Sequence, residues 1–379
     1  MTAATNALEH ELQLVHAAQW LYAHNGEPFV PGAGDPYARL VRGFETDDND
    51  TGTVLASIAR RGAVWRSRLD AWVVTDRPTA RLLLDHPDLA VAAAVPQAEP
   101  WLPDPERQRT GGPVRDLARR GGPGAVRAYA GTLRERTEQA VARLAPGPAD
   151  LVEDFVTPLT AAVYAGLLAV PGTRHADFAA GLAGTAPAVD ALLCPQTSAV
   201  TRRTAAAVRG LKDVLAGRER AEADLVLAVA GGRAAADLLG NALEVLLERP
   251  AQWTRLGAEP AHAADVIDEV LRDRSPWRIH PLVALAPVEA GGVRIATGDT
   301  VGVVTAGAGG SHRDEAPPPG GPCGLLLPAA RAQAEQALAT LAARFSSLRP
   351  DGAPVRMRRA PLTRRLVRLP ARLGGEELR

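Results

Sequence analysis

Cysteine is nearly absent from this sequence: Cys194 and Cys323 are the two cysteines among 379 residues. Two cysteines are too few for the disulfide framework of a small secreted domain. No apolar run approaches the roughly 20 residues that a membrane-spanning helix needs. The first ten residues lack the apolar centre of a signal peptide. These absences favour a soluble protein of the cytoplasm.

Net charge and aromatic side chains are also scarce. Lys and Arg number 43 and Asp and Glu also number 43, so no overall field steers the chain to nucleic acid or to a membrane surface. Aromatic residues make up 4% of the chain and hydrophobic residues 46%. Ala, Leu and Val must therefore fill a sizeable core, and Ala and Leu favour helices.

Apolar residues recur at helical spacing through most of the chain. Residues 8–22 predict an amphipathic helix that ends before Asn25-Gly26. Residues 225–248 predict the longest apolar helix, which we expect to run through the interior. Shorter helices are predicted at residues 265–274 and 326–345.

Short strands and turns interrupt this helical pattern. Residues 63–66 and 71–74 predict a strand pair, residues 281–304 a small sheet, and residues 355–373 terminal strands rich in Arg. The polar run at residues 45–53 predicts an exposed connection. We find no internal repeat and no linker, so we expect a single domain over residues 1–379, mainly α with small β-sheets.

Several segments, in this order, resemble bacterial cytochrome P-450 monooxygenases. The strands at 64–66 and 71–74, followed by residues 80–85, are similar to that family's first sheet and second helix. Residues 330–338 are similar to the helix that follows its haem-binding loop. Each motif alone is weak, but the ordered set covers nearly the whole chain. The resemblance implies a cytochrome P-450-like fold.

The sequence Glu269-Val270-Leu271-Arg272 resembles the family's Glu-x-x-Arg motif. Residues three apart on a helix share a face, so Glu269 and Arg272 can pair. A catalytic carboxylate is the alternative, but the resemblance implies a structural ion pair, which is the usual way to bury charges.

The haem-ligand loop of the family is missing from this sequence. The family presents its thiolate in Phe-Gly-x-Gly-x-His/Arg-x-Cys, and counting back seven residues from Arg331 places the ligand position at Gly324. Cys323 is one residue out of register. The run at residues 316–322 has no Phe, no Gly-x-Gly and no His, and the connection before it is shorter than the family's by roughly twenty residues.

The proton-delivery residues of the family are missing as well. Where the family has Ala-Gly-x-Asp/Glu-Thr, this chain has Arg233 at the carboxylate position and Ala234 at the hydroxyl position. Arg does not release protons near neutral pH, and Ala has none to relay. Residues 101–109 lack the family's His-Thr-Arg-x-Arg haem clamp, and the eight histidines show no zinc-site spacing. We expect no haem, no other cofactor, no metal and no catalytic residue.

Two alternatives remain open at this point. One is a haem-thiolate monooxygenase in which a shifted loop presents Cys323 to the iron. The other is a haem-free enzyme, such as an isomerase or cyclase, that uses the old pocket. The second alternative lacks support, because the presumed pocket helix carries no cluster of acidic, basic or nucleophilic residues.

The N-terminal segment, residues 1–30, is similar to the opening of haem-free P-450 homologues from antibiotic biosynthesis. Those proteins resemble the auxiliary partner of the erythromycin desosaminyltransferase. The resemblance implies a non-catalytic partner that activates or stabilises a TDP-deoxyaminosugar glycosyltransferase for macrolides or aromatic polyketides, in a heteromeric complex. Trp20, Leu21 and Tyr22 are candidate contacts, because large aromatic side chains dominate interface energetics. The alternative is that Trp20 and Tyr22 pack the helix onto the body.

Overall fold

Helices make up most of the structure, a computed structural model that describes residues 3–24, 34–43, 48–305 and 324–374. The α-helices, numbered α1 to α15 in chain order, are Ala3–His24, Pro36–Arg42, Asp48–Arg60, Arg77–Leu84, Pro105–Arg109, Gly112–Gly121, Pro123–Ala142, Thr157–Leu167, His175–Gly184, Ser198–Leu215, Ala221–Val226, Gly232–Glu248, Pro250–Ala258, His262–Asp273 and Leu327–Arg344. Two π-helical segments, Leu151–Val156 and Leu227–Gly231, lead directly into α8 and α12. The mainly helical fold expected from the sequence is confirmed.

Four small sheets accompany the helices in the described part of the chain. Their strands, β1 to β12, are Val64–Arg66, Ala71–Val74, Leu89–Val91, Gly147–Asp150, Ile279–Ala284, Val288–Ala290, Val293–Ile295, Thr300–Val304, Ser347–Pro350, Val355–Arg356, Leu366–Arg368 and Pro370–Gly374. The largest sheet has the order β1-β2-β8-β5-β3, with β2 and β8 parallel and the other neighbours antiparallel. The strand regions predicted from the sequence are confirmed.

The N-terminal helices pack on this largest sheet. In α2, Asp35 caps the first turn by accepting hydrogen bonds from the backbone N–H of Tyr37 at 2.8 Å and of Ala38 at 3.0 Å. Tyr37 then lies so close to β8 that a Cβ on Gly302 would be 2.2 Å from its hydroxyl oxygen. Glycine at 302 therefore permits the contact between α2 and the sheet.

The polar run at residues 45–53 differs from its prediction as an exposed connection. Helix α3 already begins at Asp48 within that run. Asp and Asn are favourable at helix starts, because their side chains accept bonds from free N–H groups and a negative charge suits the helix N-terminus. The prediction of a connection was wrong from Asp48 onward.

The long interior helix expected over residues 225–248 is confirmed, but it consists of three joined pieces. Helix α11, the π-helical segment Leu227–Gly231 and α12 follow one another without a gap, and we call residues 221–248 the long helix. Every residue from 223 to 247 is buried except Arg233. The long helix thus crosses one continuous hydrophobic core. Arg233 is the one partly exposed residue between positions 223 and 247.

Candidate functional site

Arg233, which the resemblance aligns with the family's carboxylate position, forms an ion pair within the long helix. Its Nε and Nη2 donate to the two carboxylate oxygens of Asp237 at 2.8 and 2.6 Å. Asp237 is almost fully buried, and burial raises the pKa of its carboxyl to about 6 against the opposing effect of Arg233. Ala234 is buried beside this pair. The arrangement places a guanidinium, which is not a proton donor near neutral pH, where the family has an acid.

The backbone next to Arg233 is tied down by a neighbouring helix. The hydroxyl of Tyr164 in α8 donates to the carbonyl oxygen of Gly231 at 2.8 Å. Gly231 ends the π-helical segment, a type of helix irregularity often found at functional sites. Burial raises the pKa of Tyr164 far above its ordinary value, so this side chain acts as a neutral hydrogen-bond donor. This hydrogen bond therefore ties the end of the π-helical segment to α8.

The ligand position, Gly324, lies just before α15, and the chain around it is in close contact with the long helix. A Cβ on Gly121, at the end of α6, would lie 3.1 Å from the backbone oxygen of Leu325 and 3.2 Å from Cδ1 of Leu227. The segment Leu227–Gly231 also packs directly on α6 and α15. The resemblance implies that haem lies between the long helix and the residues before α15. The contacts at Gly121 bring α6 close to both of these segments, and residues 306–323, which precede α15, lie outside the described chain.

The two cysteines occupy different kinds of position. Cys194 is buried, and its thiol donates to the backbone oxygen of Arg42 at 3.3 Å. Cys323, the shifted ligand candidate, lies outside the described residues. Among residues 3–24, 34–43, 48–305 and 324–374, no group of three or more His, Cys, Asp or Glu side chains is placed to hold a metal ion.

The ion pair of Glu269 differs from the one predicted. Glu269 accepts a hydrogen bond from Arg249 at the end of α12. Within the described chain, no ion pair joins Glu269 to Arg272. An i,i+3 pair on one helix contributes only about 0.2–0.5 kcal/mol, so a partner delivered by tertiary packing can replace it. Glu269 keeps a structural ion pair, and the choice of Arg272 as partner was wrong.

A second bridge between helices was not anticipated from the sequence. Arg331 of α15 donates from Nε to Glu335 at 2.6 Å and from Nη1 to Asp268 of α14 at 2.5 Å. The spacing of Arg331 and Glu335 is the i,i+4 spacing at which two side chains on one helix can pair, so the sequence indicated this contact. The link to Asp268 was not, because it joins residues 63 positions apart.

Helix α1 presents two different faces. Leu12, Gln19 and Ala23 are buried, and the side-chain amide of Gln19 donates to the backbone oxygen of Leu193 at 2.7 Å. In contrast, Trp20 is 55% exposed and Leu21 is 53% exposed, whereas Tyr22 is half-buried. The inner face attaches the helix to the body. Packing against the body therefore does not account for Trp20 and Leu21.

Comparison with known proteins covers almost the whole chain. The sequence is 32% identical to Protein DesVIII of Streptomyces venezuelae, over 93% of this chain and 90% of DesVIII. It is also 32% identical to Protein TylM3 of Streptomyces fradiae, over 95% of this chain and 91% of TylM3. The chain belongs to the DesVIII and TylM3 family. The assignment to cytochrome P-450-like auxiliary proteins made from the sequence is thereby confirmed. No protein-family model matches the sequence.

Solved structures place this member of the DesVIII and TylM3 family in the cytochrome P-450 fold. The structure of a mutant of P450 EryK in complex with erythromycin B superposes with a TM-score of 0.70 at 21% identity, over 89% of this chain and 99% of that one. At this identity the likeness establishes the fold alone. None of the described helices is long and apolar enough to cross a bilayer.

Proposed function

We propose that this chain is a non-catalytic auxiliary protein that binds and activates a glycosyltransferase using a TDP-deoxyaminosugar, in macrolide or aromatic polyketide biosynthesis. The observation that carries the proposal is the whole-length similarity to DesVIII and TylM3, together with Arg233 and Ala234 at the positions where the P-450 enzymes deliver protons. Sugar nucleotide and acceptor would bind the transferase, in a heteromeric complex. The cytoplasmic location expected from the sequence is part of the proposal.

The proposal includes a haem-free state. Its support is the run at residues 316–322, which lacks the family's ligand motif, together with Arg233 and Ala234 at the positions that the resemblance gives to the proton-delivery residues. An absorption spectrum of the purified protein tests this directly. We expect no Soret band and no shift under carbon monoxide. A Soret band that shifts under carbon monoxide and is lost in Cys323→Ser would establish the haem-thiolate alternative instead.

Activation without chemistry follows from linked equilibria. A partner that binds only the folded, competent transferase stabilises that state by about 2.7 kcal/mol when present at one hundred times its dissociation constant. If it binds the competent conformation more tightly than others, it also raises the fraction of transferase in that conformation. Both effects require a surface for the partner, but no reactive group on this chain.

We propose the outer face of α1 as part of that surface. Leu14 is 56% exposed and follows the helical spacing to Leu21, and Trp20 lies beside them. Large aromatic side chains such as Trp are the common anchors of protein interfaces. Because the inner face of α1 already holds the helix on the body, binding at the outer face requires no unfolding.

Co-expression tests the function. A cognate glycosyltransferase is produced alone and together with this chain, and its soluble yield and its turnover with its TDP-sugar are measured. We expect both values to rise with this chain present and the two proteins to co-elute. Unchanged yield and unchanged turnover would contradict the proposal. Turnover of a sugar or polyketide by this chain alone would favour the haem-free enzyme.

Variants of α1 test the surface separately. Trp20→Ala combined with Leu21→Ser should weaken transferase binding at least tenfold, because it removes the apolar anchors. Leu82→Ser is the matched control, since Leu82 on α4 is similarly exposed at 48%. Equal affinity of both variants for the transferase would place the interface elsewhere and leave the proposed function standing.

A further inference from the structure

A cavity of about 220 Å³ lies where the long helix faces α8 and α9. Its wall is mostly apolar, with side chains such as Leu182, Val229 and Leu366. Among the described residues that line it, Arg233 and Arg365 are the charged ones. At about 30 Å³ for each water-sized group, the cavity holds roughly seven such groups. It has the size and lining for a small ligand with an apolar body.

Arg365 is carried to this cavity by an unusual turn that precedes β11. Arg359 and Arg364 have φ values of +57° and +47°, in the left-handed region that residues other than glycine seldom adopt. The backbone N–H of Arg364 donates to the oxygen of Ala360 at 2.8 Å and closes the turn. Such local strain persists only where the surrounding structure holds it, and it is common at ligand sites.

The two charged residues that line the cavity are both arginines, whereas the nearby carboxylates of Asp190 and Asp237 are not part of its wall. Asp237 is engaged with Arg233 by two hydrogen bonds. The nearby carboxylate of Asp190 instead accepts bonds from the backbone N–H groups of Leu362 and Thr363 and from the hydroxyl of Thr363. The Nε of Arg365 is buried and has no hydrogen-bond partner among the described residues. Arg365 therefore lines the cavity without a direct ion pair among the described residues, although the charges of Asp190 and Asp237 act on it.

Electrostatics agrees with this geometry. Burial lowers the pKa of Arg365, and the neighbouring charge of Arg233 lowers it further, whereas Asp190 and Asp237 oppose the effect. The guanidinium remains charged because an arginine is not deprotonated in proteins. An anion between Arg233 and Arg365 would relieve their repulsion and supply the missing acceptor.

We propose that this cavity binds a small organic carboxylate, whose oxygens accept hydrogen bonds from Arg233 and Arg365 and whose short hydrocarbon body contacts Leu182, Val229 and Leu366. Two guanidinium groups in the wall favour an anion, and the apolar wall favours a hydrocarbon body over the fully polar surface of inorganic phosphate. The site is separate from the outer face of α1 and goes beyond the proposed auxiliary role.

Calorimetric titration of the full-length protein with acetate, butanoate and hexanoate, at constant ionic strength and pH 7.5, tests the proposal. Burial of two methylene groups should make butanoate bind about tenfold more tightly than acetate. Binding that does not depend on chain length would indicate general charge screening and overturn the proposal. Inorganic phosphate, titrated in the same way, should bind more weakly than butanoate; tighter binding would overturn the assignment to a carboxylate.

Three variants locate the binding. Arg365→Met should weaken butanoate binding at least tenfold, because it removes one of the two guanidinium groups that line the cavity. Arg372→Met is the control, since Arg372 is exposed and pairs with Asp351 at 3.1 Å. The affinity of this variant for butanoate should equal that of the parent protein. Ala236→Val narrows the cavity. It should therefore reduce the difference in affinity between butanoate and acetate. Equal affinities of the two arginine variants, both folded by circular dichroism, would overturn the site.

Discussion

The two sides of the long helix differ in packing: one side is closely packed, and the other borders a cavity. On the side of α6 and α15, the end of α6 at Gly121 lies in close contact with Leu227 and with the backbone of Leu325. On the side of α8 and α9, a cavity remains and two guanidinium groups line it. Substitutions on the first side, which we call the closed side, should therefore act on stability. Those on the second, the cavity side, should act on ligand binding and pH dependence.

The largest effect is expected in the core of the closed side. Leu338 of α15 is fully buried where this helix packs on α12. Leu338→Ala should lower the free energy of unfolding by about 2–5 kcal/mol, because it removes apolar contacts and leaves a cavity. Urea unfolding followed by circular dichroism measures the change. Leu338→Met, of similar volume, should cost less than about 1.5 kcal/mol; equal losses in both variants would contradict close packing.

On the cavity side, Asp237 should make stability depend on pH. Burial raises its pKa in the folded protein from 3.8 to about 6, so the folded state holds a proton that the unfolded state has released. The resulting stabilisation is complete below about pH 4 and is lost as the pH rises through about 6. Between these two pH limits, the contribution of Asp237 to the free energy of unfolding falls by on the order of 3 kcal/mol.

Urea unfolding at several pH values between 4 and 7 measures this dependence. Asp237→Asn should make the slope shallower. It should not abolish the slope, because burial also raises the pKa of Asp190 in the same direction. A slope that is identical in the variant and the parent protein would show that Asp237 does not titrate in this range.

Close contact on the closed side can be tested at one glycine. Gly121→Val should cost about 1–3 kcal/mol of unfolding free energy, because the added carbons meet the oxygen of Leu325 and the side chain of Leu227. Gly131, in the middle of α7, has nothing within 4 Å of an added Cβ. Gly131→Ala should therefore stabilise the protein by about 0.5–1 kcal/mol. If Gly121→Val has no cost, the closed side has room that the structure does not show.

The closed side was largely predictable from the sequence, whereas the cavity side was not. Apolar spacing identified the long helix and α15, and the missing ligand loop and the residues at 233 and 234 indicated the loss of haem chemistry. The cavity depends on Arg365, which is 132 positions from Arg233 in the sequence. It also depends on a turn whose left-handed residues are arginines, which give no turn signal of the kind that glycine or asparagine gives. The sequence predicted terminal strands rich in Arg at residues 355–373, and two of these arginines, Arg356 and Arg365, are partly buried.

The smallest effect on stability is expected at Arg365 itself. Its side chain has no direct ion pair in the described chain, and the like charge of Arg233 opposes the attraction of Asp190 and Asp237. Arg365→Met should therefore change the unfolding free energy at pH 7 by no more than about 0.5 kcal/mol. Added butanoate should stabilise the parent protein in proportion to its occupancy and leave the variant unchanged. A loss above about 2 kcal/mol without ligand would assign Arg365 a structural role, and the contrast between the two sides of the long helix would not hold there.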